Sequence, residues 1–338
     1  MLDFNSGRTI GTPKTLFEQY ATVKGDDGQL MMTISDFLRV ITPFETITNV
    51  DTSSFKGDLS QLLKSVDLDN DGLITYAEFI FFTTLLAIPP KYSRTAFRMF
   101  DSDGNGSVDA DEFKAMMRLV GNPITSQSEL AELLDGCTEG VFPAFFGKDG
   151  KKGLKYETFN RFIKHLRDEV STVQFKMISN GKETISAQEY ALSLISYGST
   201  RNNPANLTRV AQLQNSDIRI SMDEYKSFLS VLEFLEEIDF VLRSFLTAGE
   251  PFSKQQLRRA AKAVARVDLT DDVLDVVFFV FDTSGDGKLD EHEFMDALQG
   301  RQQFGFSKPK DAGFVRFGKC MKFCWHEEIS DRSAKPIV

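Results

Sequence analysis

Between Asp67 and Glu78 the chain reads DLDNDGLITYAE. Aspartates stand at every second place (Asp67, Asp69, Asp71), a glycine follows at Gly72, and a glutamate closes the run at Glu78. Carboxylates crowded in this way repel one another unless a cation lies among them, and the central glycine marks a sharp turn. In a twelve-residue loop built to hold a hard cation, side chains at positions 1, 3 and 5 donate oxygens and position 7 donates its backbone carbonyl. Position 9 acts through water, and a Glu at position 12 closes the shell with both oxygens. Asp67, Asp69, Asp71, Leu73, Thr75 and Glu78 fill those places, with Gly72 at the turn. Ile74 stands where an apolar residue forms the short strand that pairs one loop with another.

The pattern returns as DSDGNGSVDADE, with Asp101, Asp103, Asn105, Ser107, Asp109 and Glu112 as ligands, and as DTSGDGKLDEHE, with Asp282, Ser284, Asp286, Lys288, Asp290 and Glu293. An aromatic follows each loop (Phe79, Phe113, Phe294) and begins an exit helix. Oxygen-only ligands and a bidentate glutamate select Ca2+ over Mg2+, which prefers a smaller octahedron and keeps its waters. These are three EF-hands. Lys288 is harmless at position 7, since a backbone carbonyl binds there, and Ser284 removes one charge from the third loop. Replacing Glu112 or Glu293 by Lys is expected to cripple the calcium response and spare folding.

The same unit recurs at lower fidelity, and repeats of this kind decide architecture. Copies end at Phe37, Phe79, Phe113, Phe159, Tyr190, Tyr225, Leu257 and Phe294. Five have lost their ligands: ISNGKETISAQE carries Ile178 at position 1 and Glu183 at the turn, and LQNSDIRISMDE carries Leu213 and Ile218 there. The expected fold is all-α with short loop-pairing strands, eight hand-like units of which three are loaded. The units make two lobes of paired EF-hands plus an N-terminal domain and a C-terminal helix. The boundaries are 1–50 for the N-terminal domain and 51–170 for the first lobe (loops 67–78 and 101–112). The second lobe takes 171–305 (loop 282–293, degenerate hands near 178–189 and 213–224), and 306–338 is the C-terminal helix and tail. Two pairings stay open: the Asp67 and Asp101 loops join each other, or each joins a degenerate neighbour.

Composition narrows the function. The 338 residues carry a formal net charge of −10, which excludes the basic stripe of a nucleic-acid binder and suits cations or a basic partner. Thirty-one phenylalanines fill the space between splayed helices. No apolar run reaches the ~20 residues needed to cross a bilayer, and FIFFTTLLAIPP stops at Pro89-Pro90. Three cysteines (Cys137, Cys320, Cys324) are too few for a disulfide framework. His165, His292 and His326 have no triad context, and GKDGKKG lacks the ending of a P-loop, so no enzyme is expected. The start, MLDFNSGRTI, has neither a basic presequence nor an apolar core: the chain is cytosolic, or a targeting segment is absent from this sequence.

Four stretches resemble the mitochondrial calcium uptake family, the EF-hand regulators of the mitochondrial calcium uniporter. They are TPKTLFEQYATVK, MMTISDFLRVITP, AFRMFDSDGNGSVDADEF, and VARVDLTDDVLDVVFFVFDTSGDGKLDEHEF followed by KPKDAGFVRFGKCMKFCW. In that family two loops bind calcium, matching Asp101–Glu112 and Asp282–Glu293; the complete Asp67–Glu78 loop resembles plant- or protist-type members. The resemblance implies a protein of the mitochondrial intermembrane space, peripheral to the inner membrane. It blocks the acidic entrance of the uniporter's pore subunit at low calcium and releases it when the hands fill. It implies a homo- or heterodimer, with Lys24 and Arg39 at matching partner-contact positions and Cys324 near an intermolecular disulfide position; Glu18 replaces a basic residue of relatives. A calcium buffer and a calcium-dependent adaptor without a channel partner are the alternatives.

Overall fold

A short polar signal starts most of the helices. In hand after hand, the residue at loop position 9 and the residue at position 12 exchange hydrogen bonds, which caps the exit helix that follows. Thr75 donates its backbone N–H to Glu78 Oε2 at 2.7 Å, and the Glu78 N–H returns to Thr75 Oγ1 at 3.3 Å. Ser186 with Glu189 and Ser221 with Glu224 repeat the exchange. Thr33 with Asp36 and Asp109 with Glu112 use the same geometry with one residue type changed. In the seventh hand the Ser253 N–H donates to Gln256 Oε1 at 3.0 Å. In four of these six hands the calcium ligands are lost and the pattern survives, because position 12 also takes part in capping a helix.

The computed structural model describes residues 13–25, 28–41, 71–120, 145–147, 149–196, 204–247, 252–282 and 285–289. The helices are α1 (Pro13–Tyr20), α2 (Ile34–Ile41), α3 (Tyr76–Ala87), α4 (Ser93–Phe100), α5 (Ala110–Val120) and α6 (Tyr156–Ser179). They continue as α7 (Ala187–Ile195), α8 (Pro204–Gln212), α9 (Met222–Leu232), α10 (Leu235–Thr247), α11 (Lys254–Val264) and α12 (Asp271–Phe281). Among the described residues the chain divides into two compact units: 13–40 with 71–169, and 41 with 170–289. The mostly helical fold with short pairing strands agrees with the sequence expectation. The segment 306–338, Phe294, Cys137 and Cys320 lie outside the described residues.

Loop pairing settles the two open alternatives. In the first unit, Met32 and Ile74 bridge the N-terminal degenerate hand to the Asp67 loop, with N···O distances of 2.9 and 2.7 Å. Strand β3 (Ser107–Val108) pairs antiparallel with β4 (Leu154–Lys155), joining the Asp101 loop to the lysine-rich degenerate hand. In the second unit β5 (Thr184–Ser186) pairs with β6 (Arg219–Ser221), and the Leu289 N–H donates to the Phe252 carbonyl at 3.1 Å. Each complete loop thus joins a degenerate neighbour, and the Asp67 and Asp101 loops do not pair with each other. Spacing alone could not separate the two arrangements, because hand-to-hand distances along the chain are similar in both.

The residue after position 12 begins the core of every described hand. Phe37, Phe79, Phe113, Phe159, Tyr190, Tyr225 and Leu257 are all buried, none more than 1% exposed. Across paired loops these rings meet edge to face: Phe37 with Phe79 at 6.3 Å and Tyr190 with Tyr225 at 6.3 Å. Phe113 also touches Phe81, Phe100, Phe145 and Phe146, with ring centroids 5.3 to 6.2 Å away. Helix α3 is apolar around its whole circumference and buries Phe79 through Leu86. Of its two inward threonines, Thr83 donates Oγ1 to the Phe79 carbonyl at 2.8 Å, whereas the buried Thr84 Oγ1 has no hydrogen-bond partner among the described residues. At Pro89-Pro90, where helical hydrogen bonding cannot continue, the chain turns towards α4. No helix among the described residues is long and apolar enough to cross a membrane.

Helix α12, which enters the third calcium loop, is held from three sides. Thr270, its N-cap, donates Oγ1 to Glu224 Oε1 at 2.8 Å. Arg209 of α8 donates to the Phe279 carbonyl at 2.9 Å. From α11, Lys254 pairs with Asp275 at 2.7 Å and Arg258 with Asp271 at 2.6 Å. The ion pairs are exposed and contribute about 0–1 kcal/mol each, so they orient the helix more than they stabilise it.

Two outcomes follow from this packing. Phe113→Ala should destabilise the first unit by about 3–5 kcal/mol, read as a lowered denaturation midpoint of the calcium-free chain. Burial alone would raise the Glu224 carboxyl, but hydrogen bonds from the Ser221 N–H, the Ser221 hydroxyl and the Thr270 hydroxyl outweigh it and hold it below the ordinary glutamate value. A depressed folded value means a contribution complete above the unfolded pKa of about 4.3 and lost as pH falls through the folded value. Glu224→Gln should therefore flatten the fall in thermal midpoint of the second unit below about pH 4.3, seen by calorimetry in EGTA.

Candidate calcium sites

The Asp101 loop is assembled by its own backbone. Asp101, the C-cap of α4, accepts the Gly106 N–H on Oδ2 at 2.9 Å, closing the loop from position 1 to position 6. Asp103 Oδ1 accepts the Asn105 N–H at 3.0 Å, and Asn105 Oδ1 accepts the Ser107 N–H at 2.8 Å. The turn needs Gly106, whose φ of +82° lies in the left-handed region that L side chains rarely adopt. Glu112 already lies across the loop. Its Oε1 accepts from the Ser102 N–H, the Ser102 hydroxyl and the Asp103 N–H at 2.9, 2.9 and 3.2 Å, and its Oε2 from the Asp109 N–H at 3.0 Å.

These bonds gather negative charge in one place. Asp101, Asp103 and Glu112 each offer an oxygen, and the three oxygens lie within 4.8 Å of one another. At that separation each pair of charges repels by about 1 kcal/mol in water and about 3–4 kcal/mol at an effective dielectric constant of about 20. Asp101 Oδ1 is buried and receives no hydrogen bond. A buried carboxylate oxygen without a donor is costly unless a cation takes that place. Burial alone would raise the Glu112 carboxyl, but donors from Asp109, Ser102 and Asp103 outweigh it and keep it below its ordinary value, ionised and ready to ligate. Three hard oxygens, one left without a donor, fit Ca2+.

The other two loops show the same construction where they are described. In the first, Asp71 Oδ1 accepts the Leu73 N–H at 2.8 Å, Gly72 has φ +86°, and Glu78 is fully buried beneath its bonds to Thr75. In the third, Asp282 accepts the Gly285 and Gly287 N–H groups at 2.6 and 2.8 Å, and Asp286 Oδ1 accepts the Lys288 N–H at 2.9 Å. Position 5 to position 7 and the left-handed glycine at position 6 recur in all three. Asp67, Asp69, Ser284, Asp290 and Glu293 lie outside the described residues, as does Cys324.

Two of the degenerate loops have a buried apolar residue in place of the first ligand, Ile178 and Leu213. The N-terminal hand has protein donors on its position-12 acid. Asp36, 2% exposed, takes Oγ1 donors from Thr22 at 2.6 Å and Thr33 at 2.8 Å on one oxygen. Arg39 is ion-paired to that same Asp36 at 3.7 Å, and Lys24 is exposed on strand β1 (Val23–Lys24), opposite Leu30 of β2 (Leu30–Met31).

Sequence reasoning missed two working residues. Ser102 donates twice to Glu112, and its only signal is a hydroxyl at position 2; Thr270 is reached by a carboxylate from another hand and gives no local signal beyond its place before an acidic helix start. The structure also corrects one expectation. Glu112→Lys cannot spare folding entirely, because along with the ligand it removes the acceptor of the Ser102 N–H and of the Asp109 N–H, the latter being the reciprocal half of the capping box. Gln keeps the acceptor and is the cleaner probe.

Comparisons with known proteins agree with this site chemistry. The EF hand family matches residues 59–83, the EF hand domain family residues 94–120, and the EF-hand domain pair family residues 250–301, which covers the Phe252–Leu289 pair. EF-hand families over all three complete loops make Ca2+ the cation of this chain. Calcium uptake protein 1, mitochondrial, from Danio rerio is 29% identical across 97% of this chain and 74% of its own length. Calcium uptake protein 2, mitochondrial, from Homo sapiens is 28% identical across 93% and 77%. A crystal structure of EFHA2 in its calcium-binding state has a TM-score of 0.65 and 30% identity over 84% of this chain and 97% of that one. The apo structure of the mitochondrial calcium uniporter protein MICU2 gives 0.64 and 26% over 95% and 97%. Matched along nearly its whole length and built from the same paired loops, the chain belongs to the mitochondrial calcium uptake family of EF-hand proteins.

Proposed function

We propose that this protein is a calcium sensor that regulates the mitochondrial calcium uniporter, blocking its pore subunit at low calcium and releasing it when the EF-hands fill. The observation that carries the reading is the cluster of Asp101, Asp103 and Glu112, ionised, hydrogen-bonded into place and set on an exit helix. Similarity to a protein described as a uniporter protein supplies the partner class.

The ligands we assign are Asp67, Asp69, Asp71, Leu73, Thr75 and Glu78; Asp101, Asp103, Asn105, Ser107, Asp109 and Glu112; and Asp282, Ser284, Asp286, Lys288, Asp290 and Glu293, with Leu73, Ser107 and Lys288 acting through backbone carbonyls. When bound, calcium supplies the charge that cancels the repulsion among these carboxylates. Glu112 then tightens over the loop and carries α5 with it, because its backbone lies in the first turn of that helix, where its N–H donates to the Asp109 Oδ1 cap at 2.8 Å. Asp101 stays with α4, so the angle between α4 and α5 is the quantity that changes. Sensor loops of this type bind at roughly 10⁻⁷–10⁻⁵ M.

The site of action we assign is the intermembrane space, at the surface of the inner membrane, as a homodimer or a dimer with a paralogue. Lys24 and Arg39 face the acidic pore entrance, and Cys324 contributes to the dimer.

Capture of the purified pore subunit tests the whole reading. The chain should bind it in EGTA and lose most binding in 10–100 times the calcium dissociation constant (roughly 10⁻⁶–10⁻³ M across the range of sensor loops); Glu112→Gln should leave the complex partly resistant to calcium. Tight calcium binding with no capture in either condition would favour a buffer or an adaptor and overturn the proposal.

A further inference from the structure

The three complete loops differ in what stands at position 7 of the hand they pair with, beside their own position 7, to whose backbone carbonyl we assign a ligand role. In the pair formed by β3 and β4, position 7 of the calcium loop is Ser107 and position 7 of its degenerate partner is Gly153. The corresponding places in the other pairs carry two side chains each: Met31 and Leu73, Thr184 and Arg219, Pro251 and Lys288. Only here does one member lack a Cβ.

That absence has a measurable geometry. A Cβ added to Gly153 would lie 2.0 Å from Ser107 Oγ and 3.2 Å from Ser107 Cβ, both closer than ordinary contact. Rotation of the Ser107 hydroxyl relieves the first clash. It does not relieve the second, because Cβ rides on the backbone that also bears the position-7 carbonyl. The Gly153 backbone is not in the left-handed region, so an alanine there meets no conformational strain of its own. The contact with Ser107 is what the glycine avoids.

Ser107 has little freedom to retreat. Its N–H is bonded to Asn105 Oδ1 at 2.8 Å, and the next residue, Val108, is fully buried in register with Leu154. A push from Gly153 therefore displaces the strand against the position-5 ligand.

We infer that Gly153 is a positioning residue for calcium binding by the Asp101 loop: the degenerate hand, with no ion of its own, sets its neighbour's affinity by leaving room for the position-7 carbonyl of Ser107. This rests on the reading above that Ser107 ligates. The test is a calorimetric calcium titration of the full chain carrying Glu78→Gln and Glu293→Gln, so that the Asp101 loop is read by itself. Gly153→Ala should weaken binding about fivefold to tenfold, as modest overpacking on a ligand-bearing strand does. In the Ser107→Gly background, which removes the Cβ that Gly153→Ala would press on, the same change should cost less than about twofold, since contacting residues are non-additive.

A second readout needs no calcium. In EGTA, hydrogen exchange of peptides covering Ser107–Val108 and Leu154–Lys155 should quicken in Gly153→Ala and be partly restored by Ser107→Gly. Equal costs in both backgrounds, or an unchanged affinity and exchange rate, overturn the inference. If Gly153→Ala alone does not fold, recovery in the double variant supports the inference and no recovery overturns it. Glu112→Gln separates the two levels: if it leaves the titration unchanged, the loop assignment itself has failed, whereas its loss of binding beside a normal Gly153→Ala removes only the role of Gly153.

Discussion

Six hands of this protein turn on an exchange between two residues three apart, a hydroxyl or carboxylate at position 9 and a carboxylate or amide at position 12. The exchange fixes where the exit helix begins and sends it away from the loop at a set angle, with the following aromatic driven into the core. In the calcium loops the same position-12 side chain is the ligand we assign, so in that proposal capping and binding share one group.

The hands that cannot bind calcium are not spare copies. Each described calcium loop is paired with one, and the pairing supplies what the loop lacks alone. Ile74 finds its backbone partner in Met32, Val108 in Leu154, and Leu289 in Phe252. Glu224 has kept its cap in a loop without ligands, and its second oxygen takes the Thr270 hydroxyl at the start of the helix entering the third calcium loop. A two-residue strand gives little stability by itself; the aromatic contacts beneath it, such as Phe37 on Phe79, make the pairs persist.

Calcium loops were legible in the sequence because their chemistry is local. Twelve consecutive residues carry the ligands, the glycine turn and the cap, so Asp101 to Glu112 could be named without a fold, and the core aromatics follow at a constant offset. The partner of each loop was not legible. Met32 and Ile74, or Ser107 and Gly153, are far apart in the chain, and either pairing of the Asp67 and Asp101 loops satisfied the spacing. The lysine-rich loop read as a relic, and only its approach to Ser107 gives its glycine a purpose.

The sequence by itself determined the helical class, the repeated hand and the cation, and it is the basis of the ligands we assign, since all of these depend on residues within one turn or one loop of each other. Tertiary structure alone decided which loops pair, that Asp101 has a buried oxygen without a donor, and that Glu224 reaches Thr270 across 46 positions. Those depend on how apolar faces bring distant segments together, and burial acts on surfaces irrespective of their order along the chain.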